Sequence, residues 1–567
     1  MATLAMGRFL AREFLYICPR CGEVSGSDEL NRIVPQRCNI GYDVLVYVGT
    51  AFFLSSHDNE HIVAILKEKN IAICRSEVSY LAKKFIVYLA LVHRTVQKET
   101  RAFLSLNGGY ILHLDGTCDG DSPHLISVLD GITEIVLDNT KVLSENADDL
   151  ILFLKGIKHA YGDPVAVVSD MGAGILAAIK AVFKKVPMFI CHYHFLKAIG
   201  KELFEQEHDI LRKRLKKHGI QGVLRKRVRD LENKIDLAPA QILETVLRFI
   251  EDEEGTNNVH ATEDFSQMLI HTMLAWALEG KHQGNGHGFP FDQPYLTFYQ
   301  RLVTTHSVLD QLLKSGFFKA AKEKRLFDSI VHDLHPVIKD SILRKTTLKM
   351  QEKVVVFNRL RSAMRITLDS NKRGLNDEGE LCDIKTIENE VLKFQNWLGK
   401  NKIFMKDNAY HKLIDHINKY WHMLFCDPIV VETEVGRVVV QPSRTNNLLE
   451  QFFRMLMRTY RKKNGFQAMS KVLKSMLKDT PLVMNLRNES FMEILLDGKE
   501  SLAERFADID AAIVRRQIKK PTVNGYQVSP KVKKILRAPT FPQSLTFLMQ
   551  KGALNKKIWQ EKASQFP

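Results

Sequence analysis

Long apolar runs are missing from this chain of 567 residues. The longest one that is wholly apolar is FIVYLALV at 85–92, whereas a helix needs about 20 apolar residues to span a bilayer. The opening MATLAMGRFLAREF carries Arg8, Arg12 and Glu13 where a signal peptide needs an unbroken apolar segment. We therefore expect no membrane association and an intracellular location, in the cytoplasm or nucleoid of a prokaryote or in the nucleus of a eukaryote.

Cysteine is also scarce, with 8 residues in the whole chain and one close pair, Cys18 and Cys21 in CPRC. So few and such scattered cysteines do not indicate a disulfide framework, and they favour reduced thiols or a metal site. Neither an internal repeat nor a low-complexity tract is found.

The composition that remains is typical of a large folded protein with an anionic partner. Apolar residues make up 45% of the chain, enough for several cores, and the length suggests about three to four domains. Lys and Arg number 81 against 65 Asp and Glu, a formal net charge of +16. This excess favours nucleic acid as the first candidate partner and a membrane surface as the second.

Strand and helix signals alternate between about residues 108 and 191. GGYILHLDGT predicts a strand, and HLISVLDGITEIVLDNTKV predicts two more joined by a tight turn at Asp130. A helix follows from Asn146, as N-cap, to Gly162. PVAVVSDMG then predicts a buried strand, GAGILAAIKAVFKK a helix, and VPMFIC a fifth strand. This α/β order resembles that of a ribonuclease H-like domain.

Two carboxylates end strands of this region, Asp115 the first strand and Asp170 the fourth. In a ribonuclease H-like domain these two strands lie side by side, so both carboxylates should reach one divalent cation. Asp119 and Asp121 compete with Asp115 for this role.

A third carboxylate is expected on a later helix, after a long segment (206–435) that its amphipathic stretches predict to be all-α. Asn447 can cap a helix on which Glu450 and a row of arginines share one face. The predicted row, expected to contact DNA phosphates, is Arg454, Arg458 and Arg461. Glu432 and Glu434 are the rivals of Glu450, which could also serve only in capping the helix.

Four motifs in this order, LHLDGT, VVSDMGAG, CHYH and TNNLLEQFFR, resemble those of the DDE transposases of insertion sequences, close to the Mutator-like and hAT-like branch. The resemblance implies a ribonuclease H-like core split by a helical insertion. It also implies that Asp115, Asp170 and Glu450 are catalytic ligands of two Mg²⁺ or Mn²⁺ ions, because such ions take hard oxygen donors. The partners would be DNA, both terminal repeats and target, and further copies of the chain in a homodimer or higher oligomer.

The C-x2-H signature of the family matches Cys191 and His194 in CHYH. Two ligands do not fill a structural zinc site, which normally takes four. These residues are therefore expected either to be a buried cysteine and a histidine bonded to backbone, or to support the metal site near Asp170.

The first hundred residues predict a DNA-binding arm. NEHIVAILKEKNIAICRSEVSYLAKKF in region 46–100 fits a helix-turn-helix, with a plain helical hairpin as the alternative. The side chains expected to face DNA are Arg75, Ser79, Lys83 and Lys84. Region 1–45 resembles part of a zinc ribbon through Cys18, Cys21 and Cys38, and a filled zinc site and a degenerate one are both open.

The predicted regions are 1–45, 46–100, the first part of the core at 105–205, the insertion at 206–435, the Glu-bearing part at 436–495 and a basic C-terminal region at 496–567. A ribonuclease H-like nuclease and a domesticated, non-catalytic DNA-binding protein are the alternatives to an active transposase. The presence of all three carboxylates favours catalysis.

Overall fold

A computed structural model describes most of the chain: residues 1–22, 24–251, 263–284, 287–315, 320–366, 382–433, 436–464 and 468–519, with 539–540, 542–543 and 546–547. Two compact units divide these residues. The first comprises Met1–Met188, Pro428–Pro442 and the described chain from Asn446 onward. The second comprises Phe189–Asp427 and Ser443–Thr445. Within the described residues, no helix is long and apolar enough to cross a membrane.

Two short strand pairs and five helices open the first unit. They are β1 (Ala2–Thr3), β2 (Gly7–Arg8), β3 (Tyr16–Ile17), β4 (Val24–Ser25), α1 (Asp28–Ile33), α2 (Tyr42–Phe53), α3 (Asn59–Glu68), α4 (Arg75–Thr95) and α5 (Gln97–Leu106). Helix α4 runs well beyond the end expected at Phe85, because the apolar run that follows continues as buried helix. Buried residues of α2 and α4 join those of the central sheet in one hydrophobic core.

The central sheet has five strands with two helices between them. They are β5 (Ile111–Thr117), β6 (His124–Asp130), β7 (Val136–Val142), α6 (Ala147–Tyr161), β8 (Ala166–Ser169), α7 (Ala173–Val182) and β9 (Met188–Ile190). The strand order is β7-β6-β5-β8-β9. Strand β5 is antiparallel to β6 and parallel to β8, so the expected contact of the first and fourth strands is confirmed.

The local signals in this region are confirmed almost residue by residue. Asn146 caps α6 by accepting a hydrogen bond from the Asp149 backbone N–H, and the helix ends before Gly162. One expectation was wrong: β5 does not end at Asp115, because its pairing with β6 continues to Thr117.

The second unit is built from helices. They are α8 (His192–His218), α9 (Ile220–Glu232), α10 (Pro239–Glu251), α11 (Glu263–Glu279), α12 (Pro294–Lys314), α13 (Ala321–Lys339), α14 (Ser341–Ala363), α15 (Ile384–Lys400) and α16 (Asn408–Leu424), with a 3₁₀ helix at Phe404–Lys406. A buried ion pair joins α14 to α8, since Lys353 Nζ lies 2.7 Å from Glu207 Oε2. The described residues of the expected helical segment are helical as far as Leu424, but residues 429–433, near its predicted end at 435, form a strand.

The chain then returns to the first unit. It forms the hairpin β10 (Ile429–Thr433) and β11 (Gly436–Val440), then α17 (Asn447–Asn464), α18 (Ser470–Ser475), a 3₁₀ helix (Thr480–Arg487), α19 (Glu489–Leu496), α20 (Leu502–Ala507) and α21 (Ala511–Lys519). Leu449 of α17 and Phe506 of α20 are fully buried in the same core as Leu114 of β5. This packing seats the Glu450-bearing helix against the central sheet.

Candidate active site

Strand register places the first two predicted carboxylates next to each other. Leu114 of β5 pairs with Ser169 of the parallel strand β8, and Asp115 and Asp170 each follow one residue later. Asp115 is 6% exposed, and its Oδ1 accepts a hydrogen bond of 2.7 Å from the Gly116 N–H. Asp170 Oδ1 accepts one of 3.0 Å from the Gly172 N–H. Backbone donors thus fix both carboxylates at neighbouring positions of the sheet.

Glu450 lies in the first turn of α17, and its backbone N–H donates to the Asn446 carbonyl at 3.1 Å. The helix therefore begins one residue earlier than expected, with Asn446 rather than Asn447 before its first turn. The side chain of Asn446 bonds to strand β5.

Asn446 joins α17 to the strand that carries Asp115. Its Nδ2 donates to the Leu114 carbonyl at 3.0 Å, and its Oδ1 lies 2.8 Å from His113 Nδ1. Asn446 and His113 are both 0% exposed. Because an amide oxygen only accepts, the His113 proton is on Nδ1. Burial lowers the pKa of His113 to about 4, so the ring is neutral at physiological pH. Sequence reasoning missed this bridge, since nothing in the TNN run distinguishes a capping asparagine from a bridging one.

Asp115 lies within electrostatic reach of the other two predicted carboxylates. Burial raises the pKa of Asp115 well above its usual range, and the negative charge of Asp170 raises it further. Glu450 and Glu145 contribute smaller effects of the same sign. Asp170 and Glu450 thus lie near enough to influence the charge of Asp115, and Glu145 is a fourth carboxylate that does so.

The fourth carboxylate, Glu145, lies just before the capping residue of α6. Its Oε1 is 2.9 Å from His124 Nδ1, so it is held by the neighbouring strand β6. Gly116 leaves room for it, because a Cβ at that position would lie 3.0 Å from Glu145 Oε1. No pattern in the sequence marks Glu145, because its position depends on how α6 enters the sheet.

The rival carboxylates have other partners. Asp119 Oδ2 accepts hydrogen bonds from the Met469 and Ser470 N–H groups at 2.6 and 3.1 Å. Hydrogen bonds from Lys474 and Ser470 lower the pKa of Asp121 to about 2. Both aspartates thus anchor the start of α18.

Of the two rivals to Glu450, Glu432 is an exposed residue paired with Arg437 at 2.6 Å. Glu434 lies outside the described residues.

The donor set of the cluster suits a hard cation, because carboxylate oxygens are the ligands that Mg²⁺ and Mn²⁺ prefer. Like charges also crowd around Asp115, and a bound cation would relieve their repulsion. Within the described parts of the chain, no three His, Cys, Asp or Glu side chains stand at metal-binding spacing. The carboxylates are therefore neighbours whose chemistry fits Mg²⁺, without a closed set of ligands.

Cys191 and His194 lie at the start of α8 in the second unit. Cys191 is buried at the residue before the helix, and His194 is half-buried in the first turn. The intervening His192 is buried, its Nε2 is 2.6 Å from the Leu424 carbonyl, and burial lowers its pKa to about 3. The support role of Cys191 and His194 near Asp170 stays a prediction.

The N-terminal cysteines lie on two separate features. Cys18 and Cys21 share one turn, in which backbone N–H groups of Cys21 and Arg20 lower the pKa of the Cys18 thiol. Cys38 Sγ instead accepts a hydrogen bond of 3.0 Å from Lys84 Nζ. The zinc site predicted from Cys18, Cys21 and Cys38 stays a prediction.

The residues predicted to face DNA from α4 differ in how far the structure exposes their side chains. Arg75 is exposed and paired with Glu60 at 2.6 Å, and Ser79 Oγ accepts a hydrogen bond of 2.8 Å from Asn59 Nδ2. Lys83 is exposed, but Lys84 is only 4% exposed, so its side chain lies inside the protein. The placement of Lys84 at a DNA-facing surface was wrong, because it belongs to the buried stripe of α4 and its Nζ lies against Cys38.

Arg454, Arg458 and Arg461 are all exposed on α17, on successive turns after Glu450. Neither Arg454 nor Arg458 forms an ion pair with any carboxylate in the part of the chain that is described. Their charges are therefore available to an anionic ligand.

No model of a known protein family matches this chain, and no curated protein matches it.

Proposed function

We propose that this chain is a DDE transposase, an enzyme that binds the ends of a transposable DNA element and performs metal-dependent cleavage and transfer of DNA strands. The observation that carries this proposal is that strand register sets Asp170 beside Asp115, while Asp115 also lies within electrostatic reach of Glu450. These residues come from a strand, the end of its parallel neighbour and a helix that follows the whole helical unit.

The architecture supports the proposal that this is a ribonuclease H-like core. The central strand β5 lies between an antiparallel hairpin and the parallel strand β8, and Asp115 and Asp170 occupy those two adjacent strands. The all-α segment enters the chain between the second carboxylate and the third, as a split core of this type requires.

The chemistry of strand transfer suits this residue set. Displacement of an oxygen at phosphorus needs positioning and charge stabilisation more than covalent chemistry from the protein. Asp115, Asp170 and Glu450 would hold two Mg²⁺ or Mn²⁺ ions, which supply charge that activates the attacking water or 3′-hydroxyl and stabilises the leaving oxygen. Asn446 and His113 would keep the helix bearing Glu450 at a fixed distance from Asp115.

The partner in this proposal is DNA. The net charge of +16 favours binding to phosphates, and the unpaired Arg454 and Arg458 follow Glu450 on the same helix. We propose that the helices α3 and α4 contribute to recognition of terminal repeats through Arg75, Ser79 and Lys83. A homodimer or higher oligomer would hold two ends together, in the compartment that contains the DNA.

The test is a strand-cleavage and strand-transfer assay on DNA that contains the sequences flanking the gene, with Mg²⁺ or Mn²⁺. Asp115→Ala, Asp170→Ala and Glu450→Ala should each reduce cleavage and transfer to background while DNA binding in a gel-shift assay is largely retained. Each loss removes a metal ligand and leaves the basic surface unchanged.

Glu432→Ala is the matched control, since this exposed carboxylate is the rival of Glu450 and pairs only with Arg437 among the described residues. Its cleavage should equal that of the wild type. Normal cleavage by the Glu450→Ala protein would remove Glu450 from the site. Cleavage without any transfer would favour a nuclease over a transposase.

A further inference from the structure

A groove of about 680 Å³ lies in the first unit, beside the helix that carries Glu450. Its walls are α17, the turn between β6 and β7, and the 3₁₀ helix Thr480–Arg487 with the residue that follows it. Three guanidinium groups line it, those of Arg454, Arg458 and Arg487. We call it the arginine groove.

The charge of the arginine groove is positive. Its three arginines face a single acidic lining residue, Glu134, so the formal balance is 3 − 1 = +2. Arg487 donates hydrogen bonds to Met455 Sδ at 3.0 Å and to the Leu54 carbonyl at 3.3 Å. Both acceptors are neutral, so they orient the guanidinium group without neutralising its charge.

The floor of the groove is apolar. It includes the half-buried side chains of Leu448, Met455 and Met484. Guanidinium groups bind phosphate oxygens in pairs of hydrogen bonds, and an apolar floor accepts the faces of sugars and bases. A nucleic-acid strand offers both kinds of group, whereas an acidic peptide offers carboxylates without flat apolar faces.

Helix geometry places the groove next to the carboxylate cluster. Arg454 and Arg458 follow Glu450 by four and eight residues, which is about 6 and 12 Å along the helix axis. A strand whose reacting phosphate lies at the carboxylates would therefore pass these two arginines first.

We propose that the arginine groove binds the sugar-phosphate backbone of the DNA strand next to the reacting phosphate, with Arg487 as a ligand equal to Arg454 and Arg458. This inference rests on the proposed function for the position of the strand, and it adds a residue that no sequence pattern indicated. The inference also gives Arg461 a smaller role in DNA binding than Arg454 and Arg458, because the described lining of the groove does not include Arg461.

The experiment measures binding of fluorescent DNA by the full-length chain, as anisotropy at several salt concentrations, without divalent metal and in an Asp115→Ala background. Binding is then independent of catalysis. Arg487→Ala and Arg458→Ala should each weaken binding about fivefold and reduce the slope of log affinity against log salt by about 0.7 to 0.9. Glu134→Gln should strengthen binding, since it removes the only acidic charge of the described lining.

Three arginine variants serve as controls. Arg516→Ala removes an exposed arginine of α21, outside the groove, and should bind as the parent does. Arg487→Lys keeps the charge but loses the paired hydrogen bonds, so its affinity should lie between those of the parent and of Arg487→Ala, which separates loss of charge from misfolding. Arg461→Ala should have a smaller effect than Arg487→Ala.

Three results would overturn the proposal. These are unchanged affinity of the Arg487→Ala protein, a larger loss for Arg461→Ala than for Arg487→Ala, and binding of poly-glutamate in preference to DNA with the same dependence on Arg487. If the groove variants lose DNA affinity but the wild type never cleaves DNA, the groove stands and the transposase proposal fails. If cleavage depends on the carboxylates while the groove variants bind normally, only the groove is refuted.

Discussion

Replacing Asn446 by alanine would test what the hydrogen bonds between α17 and β5 contribute, because it removes them and leaves the other residues of the fold unchanged. The substitution removes the acceptor of the buried His113 Nδ1–H and one donor to the Leu114 carbonyl. A buried donor left without a partner costs about 1 to 3 kcal/mol, so the free energy of unfolding should fall by about that much. The second consequence is specific to the site, because Glu450 then loses its fixed distance from Asp115.

A matched control exists in the same unit. Asn485 is also buried, at 2% exposure, and it also makes two bonds to one strand, accepting from the Val136 N–H at 2.8 Å and donating to the Val136 carbonyl at 2.9 Å. Strand β7 is at the edge of the sheet, two strands from the one that carries Asp115. Asn485→Ala should therefore cost a similar free energy of unfolding without changing the carboxylate cluster.

The assay combines urea unfolding with a titration of thermal stability against Mn²⁺ or Mg²⁺, with no DNA present. Both variants should lose stability, but only Asn446→Ala should need about tenfold more metal for half of the maximal stabilisation, because ligand orientation typically contributes that much to metal affinity. An equal metal response in the two variants would refute the positioning role of Asn446. A wild-type protein without any metal response would refute the metal site itself.

Three further perturbations have defined outcomes. Asp115→Asn should raise the free energy of unfolding of the metal-free protein at pH 7, because the raised pKa of Asp115 means that its ionisation opposes folding. In urea titrations this gain should disappear below about pH 4, where the unfolded chain also binds the proton. A gain that grows at low pH would contradict the assignment. Lys83→Ala should weaken DNA binding in a gel shift more than Lys84→Met does. Lys84→Met should lower the thermal unfolding temperature more than Lys83→Ala does, because Lys84 is buried. The reverse ranking in both assays would mean that Lys84 is exposed at the surface. Lys353→Met should destabilise the second unit by about 3 kcal/mol, because it leaves buried Glu207 without its closest cation. Adding Glu207→Leu should restore most of the lost free energy of unfolding. If the double variant does not recover, the ion pair is not the cause of the loss.

The sequence was informative where structure depends on neighbouring residues. Asn146 and Gly162 bound α6 as predicted, because a cap forms between residues only three or four positions apart. Asp115 and Asp170 could be singled out because each follows a short apolar run, and parallel pairing of β5 with β8 then sets them side by side. The bounds of the strands, such as the extension of β5 past Asp115, depend on cross-strand pairing and were missed.

Features that depend on packing between distant segments could not be predicted in the same way. Glu145 precedes its helix cap without any periodic signal, and Arg487 lies in a 3₁₀ helix far along the chain from the arginines it joins. Lys84 is different, because the pattern was present: Leu81, Lys84, Phe85 and Tyr88 follow the spacing of one helical face. Interpreting that face as a buried stripe would have placed Lys84 inside the protein. Its charge was instead taken to indicate an exposed position.

The carboxylate cluster lowers the stability of the fold. Asp115 is buried among carboxylates of like charge, and its raised pKa shows that ionisation there is unfavourable. Ordinary packing would separate such groups, but the parallel register of β5 and β8 fixes Asp115 beside Asp170, and the Asn446 bridge fixes α17 against β5. A proton or a cation bound among these carboxylates would relieve the repulsion. A cluster of this kind therefore gains more from a divalent cation than exposed carboxylates do, and this supports the metal-dependent chemistry proposed for the site.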